Sequence, residues 1–229
     1  DEVVRFDRPD KDALSRLLRL RLRPFQADDE HLSLLVEQLE GNWRGTLEQP
    51  QTYAFKGRVR QLTLPAQTLN GVSRPGFQGL DVDFDVNQVS GKAQLVLDKG
   101  VLDALGILEE GPVFFEQLRA DIAWQRQGEA LTVSGSNVRF ANADAQGELL
   151  FKWQSAANGP GVLDLQGSLA RAEGPRVHRY LPLELDKEVR DYVRAAVQAG
   201  TATGVKFKLK GDLARFPFAD AKQGDFRIS

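Results

Sequence analysis

The sequence lacks the residues on which most catalytic and metal sites depend. Its 229 residues include no cysteine, no methionine and only two histidines, His31 and His178. Without cysteine, neither a disulfide framework nor a thiolate metal site can form. The paired His motif of zinc proteases, the Gly-x-Ser-x-Gly motif of hydrolases and a phosphate-binding glycine loop are also missing. We therefore expect a protein that is not an enzyme and that uses no cofactor.

An excess of one charge and long apolar runs are missing as well. The formal net charge is −2, which argues against binding nucleic acid. No stretch approaches the roughly 18 apolar residues of a membrane span, and no signal-peptide pattern is present. Because the chain starts at Asp1 and contains no methionine, we expect a piece of a longer protein whose anchor or export signal lies elsewhere.

The first forty residues predict two amphipathic helices. Leu14, Leu17, Leu18 and Leu22 follow the spacing of one apolar helix stripe. A second helix is expected over roughly residues 27–40, with a glycine just after its last turn. These patterns predict a helical N-terminal segment over residues 1–45.

From Tyr53 onward, apolar and polar residues alternate with a period of two, which is typical of strands. LDVDFDV at 80–86 is the clearest case, with three aspartates on the face opposite its apolar residues. Those aspartates are about 6.7 Å apart along a strand, too linear an arrangement to surround one calcium ion. The phase changes between Val59 and Leu62, which predicts a bulge. Residues 46–229 are thus predicted to form an antiparallel β domain, with one helix inserted at about 186–199.

Glycine recurs inside these predicted strands. LKGDLAR at 209–215 resembles LQGSLAR at 165–171, and looser copies occur at 55–62, 89–97, 133–140 and 145–151. Glycine inside a strand weakens it unless it marks a bulge, a bend or a close approach. Repeated glycines at similar places therefore favour a sheet that curves along one line.

The segment YLPLELDKEVRDYVRAAVQAGTATGVKFKLKGDLARFPF at 180–218 resembles the YhdP family, AsmA-like proteins of Gram-negative bacteria. Tyr-Leu-Pro and Phe-Pro-Phe are its most specific parts. RPGFQGLDVDF at 74–84, GKAQLVLDKGVL at 91–102 and LRADIAWQRQGEALTVSGSNVRFANADAQGELLF at 118–151 add to the resemblance, which extends from about Leu35 to the end. One departure is Tyr192-Val193, where the family usually has Trp-Leu.

This resemblance implies a repeating β-groove: an elongated, strongly curved antiparallel sheet with a few amphipathic helices packed at its ends or edges. It also implies a periplasmic location, with a tether to the inner membrane outside this chain. The implied function is phospholipid transport between the inner and outer membranes, without catalytic residues. The implied partners are phospholipid acyl chains, neighbouring segments of the same long chain and the inner membrane, but not nucleic acid.

Together with the strand pattern, the resemblance predicts which side chains line the groove. The alternative is a closed β-sandwich, a scaffold or protein-interaction module of the cell envelope, in which the same residues form a dry core. The groove and sandwich hypotheses differ in whether Phe84 and Phe207 are fully buried by protein. The predicted lining residues are Leu80, Val82, Phe84, Val86, Leu95, Leu97, Ile122, Trp124, Leu149, Phe151, Trp153, Leu163, Leu165, Phe207 and Leu209.

Overall fold

The computed structural model describes residues 18–22, 25–28, 33–45, 50–69, 72–181, 183, 187–218, 220 and 222–229. Strands dominate these residues. They are β1 (Leu18–Leu22), β2 (Phe25–Asp28), β3 (Ser33–Gly45), β4 (Pro50–Leu64), β5 (Gln67–Leu69), β6 (Val72–Arg74), β7 (Gly76–Asn87), β8 (Ser90–Asp103), β9 (Val113–Gln127), β10 (Ala130–Ala141), β11 (Ala145–Gln154), β12 (Val162–Glu173), β13 (Thr201–Ala202), β14 (Val205–Asp212) and β15 (Gly224–Ile228).

Thirteen of the described strands belong to one sheet, and β5 pairs with β6 in a separate hairpin. The order across the sheet is β1-β3-β4-β7-β8-β9-β10-β11-β12-β14-β15, with β2 beside β3 and β13 beside β12. Neighbouring strands are antiparallel. The sheet stays open, because β1 and β15 form its two ends and do not pair with each other. The predicted class, mainly β and antiparallel, is confirmed.

The predicted N-terminal helices are wrong for the residues that the structure describes. Residues 18–22, 25–28 and 33–45 are strands, and β3 pairs with β4 in the large sheet. The start of the first predicted helix, in residues 1–17, lies outside the described residues. A register shift between Val36 and Gln38 explains the error. It places Val36 and Leu39 on the same face although they are three residues apart, a spacing that imitates a helix.

Bulges recur on neighbouring strands. The predicted irregularity between Val59 and Leu62 is confirmed, since the register shifts there and Gln61 has a φ of 53°. Similar shifts accompany Gly79 (φ 81°) in β7 and Asn137 (φ 51°) in β10. Bulges of this kind increase the local twist of a strand.

The helical parts of the described chain lie outside the sheet. The helix α1 (Lys187–Ala196) confirms the one predicted within 186–199, and a 3₁₀ turn covers Gly174–Tyr180. No helix in the described part of the chain is long and apolar enough to cross a membrane. Arg190 of α1 forms an ion pair with Glu109, 2.6 Å between Nη1 and Oε2, and so joins α1 to the 104–111 loop.

Among the described residues, a cluster of buried apolar side chains forms a packed core at one end of the strands. Leu97 is fully buried, and it packs with Leu80, Val113 and Phe115, which are at most 7% exposed. Tyr180 from the 3₁₀ turn and Leu108 from the 104–111 loop pack against this cluster. The loop 104–111, the 3₁₀ turn and α1 therefore cover this end, which we call the covered end.

Hydrogen bonds fix the 3₁₀ turn at the covered end. Asp144 accepts from Arg179 Nη1 at 2.5 Å and from the Tyr180 hydroxyl at 3.0 Å. The same hydroxyl accepts from Asn142 Nδ2 at 2.8 Å. Burial raises the pKa of Tyr180 to about 12, and the neighbouring Asp144 carboxylate acts in the same direction.

Titration of Tyr180 predicts how stability changes at high pH. An unfolded tyrosine has a pKa of about 10, so the neutral hydroxyl contributes its full stabilisation below that pH and loses it as pH rises through 12. We expect the free energy of unfolding to fall between pH 10 and pH 12 in the unmodified chain. In Tyr180→Phe this fall should be smaller. Tyr192→Phe is the control, because that side chain is 72% exposed. The free energy of unfolding is measured by urea titration at each pH. An equal fall of this free energy with pH in all three chains would contradict the prediction.

Candidate functional site: the apolar face of the sheet

One face of the large sheet carries apolar residues in rows that run across the strands. Directly paired residues of an antiparallel sheet point to the same face. Following the pairs from β3 to β15 gives a central row of ten residues without any polar side chain. Its members are Leu39, Gly57, Phe84, Ala93, Ile122, Gly135, Phe151, Leu165, Leu209 and Phe226.

A row of the same kind lies on each side of the central row. Towards the covered end it comprises Val36, Val59, Val82, Leu95, Ala120, Val138, Leu149, Gly167, Phe207 and Ile228. Val138 joins this row at the bulge of β10. Away from the covered end, the row comprises Gly41, Phe55, Val86, Gly91, Trp124, Val133, Trp153, Leu163, Gly211 and Gly224. We call these three rows the apolar face.

The fifteen residues that were predicted to line a groove all point to this side of the sheet. Thirteen of them belong to the three rows above. Leu80 and Leu97 belong to a fourth row, nearer the covered end, and are only 4% and 0% exposed. These two side chains are covered by protein and belong to the packed core, so the prediction that they line a groove is corrected.

The middle of the apolar face has no second protein layer among the described residues. In the central row, Phe84, Ile122 and Phe151 are only partly buried, as are the row's other side chains up to Leu209. Phe226, on the last strand, is 52% exposed. A sandwich would place a second sheet about 10 Å above this face, whereas the other sheet in the described chain is the two-stranded β5–β6 hairpin. The closed sandwich is therefore not the observed fold.

The apolar face is large for an uncovered surface. Ten strands, each about 4.8 Å wide, cover about 48 Å, and three rows, each about 6.7 Å wide, cover about 20 Å along the strands. The product is on the order of 1,000 Å², whereas soluble monomers rarely expose apolar patches of more than a few hundred Å². A surface of this size and shape is typical of a binding site.

Aromatic rings lie across glycines of the neighbouring strand at five places on this face. In each case the two residues are directly paired, and a Cβ on the glycine would overlap the ring. Glycine therefore lets the ring lie against the backbone. The pairs are Gly41 with Phe55, Gly57 with Phe84, Gly91 with Trp124, Gly135 with Phe151 and Gly167 with Phe207.

Four of these glycines, at 57, 91, 135 and 167, were predicted to mark a bulge, a bend or a close approach, and the structure shows the close approach of a ring in each of these pairs. Gly41 was instead expected to follow the last turn of a helix, and that expectation is wrong because it lies within β3. Each of the five occupies a regular cross-strand pair, while left-handed bulge residues occur elsewhere, at Gln61, Gly79 and Asn137. The pairs escaped prediction because they depend on register between strands, which the sequence does not display.

The Phe-Pro-Phe segment packs onto one corner of the apolar face. Phe218 lies over Gly211 and Gly224 at the ends of β14 and β15. Phe216 makes edge-to-face contacts with Phe218 and Phe226, at ring-centroid distances of 5.5 and 5.4 Å. Such contacts contribute about 0.5–1.5 kcal/mol each beyond area burial. The segment thus covers the last strands at the end opposite the covered end.

The opposite face of the sheet is polar, and its charges alternate in sign. Lys56 pairs with Glu40 (Nζ–Oε2, 3.2 Å), and Lys210 pairs with Asp164 (Nζ–Oδ2, 2.9 Å). Exposed ion pairs of this kind contribute about 0–1 kcal/mol each. The row runs Glu40, Lys56, Asp85, Lys92, Ala123, Ser134, Lys152, Asp164, Lys210 and Asp225.

The acidic strand in β7 takes part in this polar face. Asp83 pairs with Arg60 and with Arg58 Nε, the latter at 3.6 Å, while Asp81 Oδ1 accepts from the backbone N–H of Gln61 at 2.8 Å. No group of three or more potential metal ligands is found in the described part of the chain. His178 lies at the covered end, where its Nε2 is 2.8 Å from Glu110 Oε1.

The ring-over-glycine pairs generate a stability prediction. Gly135→Ala places a methyl group where the ring of Phe151 lies, so the ring must move, and we expect a loss of about 1–3 kcal/mol as for other overpacked sites. Gly111→Ala is the matched control, since a Cβ there meets nothing within 4 Å. Denaturant unfolding of both variants measures the difference, and a Gly135→Ala chain as stable as the control would contradict the prediction.

Comparison with known proteins supplies the family. A family model described as "YhdP protein" matches residues 33–229, the range that contains β3 to β15 and hence all three rows of the apolar face. No curated protein and no solved structure gives a significant match. Since the family model covers most of the sequence, this chain belongs to the YhdP protein family.

Proposed function

We propose that this chain is a segment of a periplasmic, AsmA-like protein that carries phospholipid between the inner and outer membranes. The observation that carries the proposal is the apolar face: three uninterrupted rows across ten strands, left partly exposed by the rest of the described chain. In water such a surface needs an apolar ligand to cover it. Membership of the YhdP family agrees with this role.

The dimensions of the apolar face suit acyl chains. One leaflet of a bilayer contributes about 15 Å of hydrocarbon, half of a core about 30 Å thick. The face measures about 20 Å along the strands and about 48 Å across them, so acyl chains fit along the strands and several fit side by side. We infer that lipids move across the strands, in the direction in which the rows run.

The sheet presents only apolar groups to such a ligand. Backbone N–H and C=O groups are engaged in the ladders between neighbouring strands, as they must be next to hydrocarbon. The charged side chains point to the other face. Acyl chains therefore encounter no polar group that would have to lose its hydration in the middle of the face.

Transport along such a face needs no covalent chemistry, so we propose a protein without catalytic activity or cofactor. We place it in the periplasm, tethered to the inner membrane by an anchor outside this chain. Neighbouring segments of the same long chain would continue the apolar surface. No role in nucleic-acid binding is proposed.

Photo-crosslinking tests whether lipid covers the apolar face. A photoreactive residue at Phe84, Phe151 or Phe207 in the full-length protein in cells should crosslink to phospholipid, as detected by mass spectrometry. Lys152 is the matched control, because it follows Phe151 and points to the polar face. Crosslinks from the three phenylalanine positions to protein alone would instead support an interaction module and reject the transport proposal.

A charged substitution separates the lipid-facing surface from the packed core. Phe207→Asp should fold, because the side chain at this position reaches solvent, but it should abolish lipid transfer. Leu97→Asp buries an unpaired charge in the core and should cost several kcal/mol of stability. Urea unfolding and transfer of a fluorescent phospholipid between vesicles measure the two effects. Normal transfer by a folded Phe207→Asp chain would contradict the proposal.

A further inference from the structure

A row with polar side chains borders the apolar face at the end of the strands opposite the covered end. It lies two residues further along each strand than the row that contains Trp124, and so it points to the same side of the sheet. Two pairs in it are direct, Trp43 with Tyr53 and Arg126 with Leu131. Ser155 continues the row on β11, since its backbone N–H donates to Leu131 O at 2.8 Å and its hydroxyl accepts from the Leu131 N–H at 2.9 Å. We call this row the rim: Trp43, Tyr53, Arg126, Leu131 and Ser155.

The opposite border of the apolar face is hydrocarbon. Leu80 and Leu97 of the fourth row belong to the packed core, and Leu62, Leu118 and Phe140 of the same row pack against it. From β4 to β14 the paired residues of this row are all apolar or glycine. They are Leu62, Leu80, Leu97, Leu118, Phe140, Gly147, Leu169 and Val205. The two borders of the apolar face therefore differ in polarity.

Tryptophan is confined to the polar border. All three tryptophans of the chain lie there, Trp43 in the rim and Trp124 and Trp153 in the adjoining row. Trp153 uses both parts of its ring, because its Nε1 donates to Pro160 O at 2.8 Å while the ring lies on the apolar face. In membranes, tryptophan and tyrosine favour the boundary between hydrocarbon and polar headgroups. Their position indicates that the same boundary of a bound lipid lies at the rim.

Arg126 is the charged side chain of the rim, and it has no ion pair among the described residues. It is exposed, and its Nε donates to Gly128 O at 2.9 Å, which leaves its two Nη groups without a partner in the described chain. Glu129, in the same turn, forms no ion pair with it. At the covered end, by contrast, Arg179 is already paired with Glu110 and Asp144. Arg126 belongs to β9 in the middle of the sheet, where β8 and β10 pair on either side.

We propose that phospholipids on the apolar face lie with the ends of their acyl chains towards the covered end and with their phosphate at the rim, where Arg126 binds it. This inference rests on the proposed transport function. A guanidinium group forms charge-assisted hydrogen bonds with phosphate oxygens and can use two donors at once. The reverse orientation would place the phosphate against the fourth row, where it would lose hydration without gaining a partner.

The distance along the strands agrees with this orientation. Three row spacings, about 20 Å in total, separate the row of Val138 from the rim. The hydrocarbon of one leaflet takes up about 15 Å of this length, which leaves about 5 Å for the carbonyl and glycerol groups of the lipid. An acyl chain that ends beside Val138 therefore brings the phosphate to Arg126.

Two photoreactive forms of phosphatidylglycerol test the orientation in the purified full-length protein. One carries a diazirine at the last carbon of an acyl chain, and the other carries it on the headgroup glycerol. We expect the first to label the row of Val138 and Leu149 and the second to label the rim near Arg126, with the labelled residues identified by mass spectrometry. The reverse pattern, or the same pattern for both lipids, would overturn the proposal. If neither lipid labels the protein, the transport function itself fails, and this inference fails with it.

Arg126→Gln tests the phosphate contact. Arg119→Gln is the matched control, because Arg119 is an exposed residue of the same strand that points to the polar face. We expect Arg126→Gln to bind a fluorescent phosphatidylglycerol about threefold to fivefold more weakly at low salt, as for the loss of one exposed ion pair. High salt should remove this difference, and Arg126→Lys and Arg119→Gln should bind like the unmodified chain. Equal affinity of Arg126→Gln and Arg119→Gln at low salt would overturn the proposal.

Two further ligands separate the phosphate contact from other effects. Diacylglycerol has the acyl chains without phosphate, so its binding should be the same in Arg126→Gln and Arg119→Gln. Weaker binding to Arg126→Gln would show that the substitution acts on the apolar face and would overturn the assignment of Arg126. Glycerol phosphate has the phosphate without acyl chains and should not compete at the concentrations at which the lipid binds. Competition at those concentrations, lost in Arg126→Gln, would show a site for free phosphate and overturn the lipid assignment.

Discussion

Antiparallel pairing in a fixed register is the constraint on which the remaining structure depends. Side chains alternate between the faces of a strand, so a slip of one residue in any strand would move its apolar side chains into the charged face. Ten successive strands keep the phase, and each places apolar residues or glycine in all three rows. The bulges at Gln61 and Asn137 belong to this arrangement, because the register shifts there while Leu62 and Val138 remain on the apolar side.

Local pattern was sufficient to predict the features that depend on a single segment. The alternation in 80–86 and in the later strands, the bulge after Val59 and the helix α1 are of this kind. Features that depend on pairing between distant segments were missed. The bulge in β3 gave its apolar residues a helix-like spacing, and the rings over glycine depend on the register between strands. The buried cluster that contains Leu97 packs against Leu108 and Tyr180, which come from outside the neighbouring strands.

Two sequence signatures that are far apart meet at the covered end. Tyr180 of the Tyr-Leu-Pro segment forms hydrogen bonds with Asn142 and Asp144, which lie within the matching stretch 118–151, and Arg179 joins Asp144 to Glu110. The two segments depend on each other, since either one without the other leaves buried polar groups without partners. The packed core at the covered end occupies the fourth row, so a ligand of the apolar face contacts the other three rows.

Rings that lie against the glycines of the neighbouring strand make up much of the apolar face. The attraction between hydrocarbon and such a surface is not directional, so a methylene chain can make similar contacts at many positions on it. Each buried CH₂ group still contributes about 0.8 kcal/mol when fully removed from water, and that gain is nearly the same at neighbouring positions on such a surface. For the acyl chains that we propose as ligands, retention and mobility are therefore compatible: the total contact keeps the lipid out of water, while no directional contact holds it at one position.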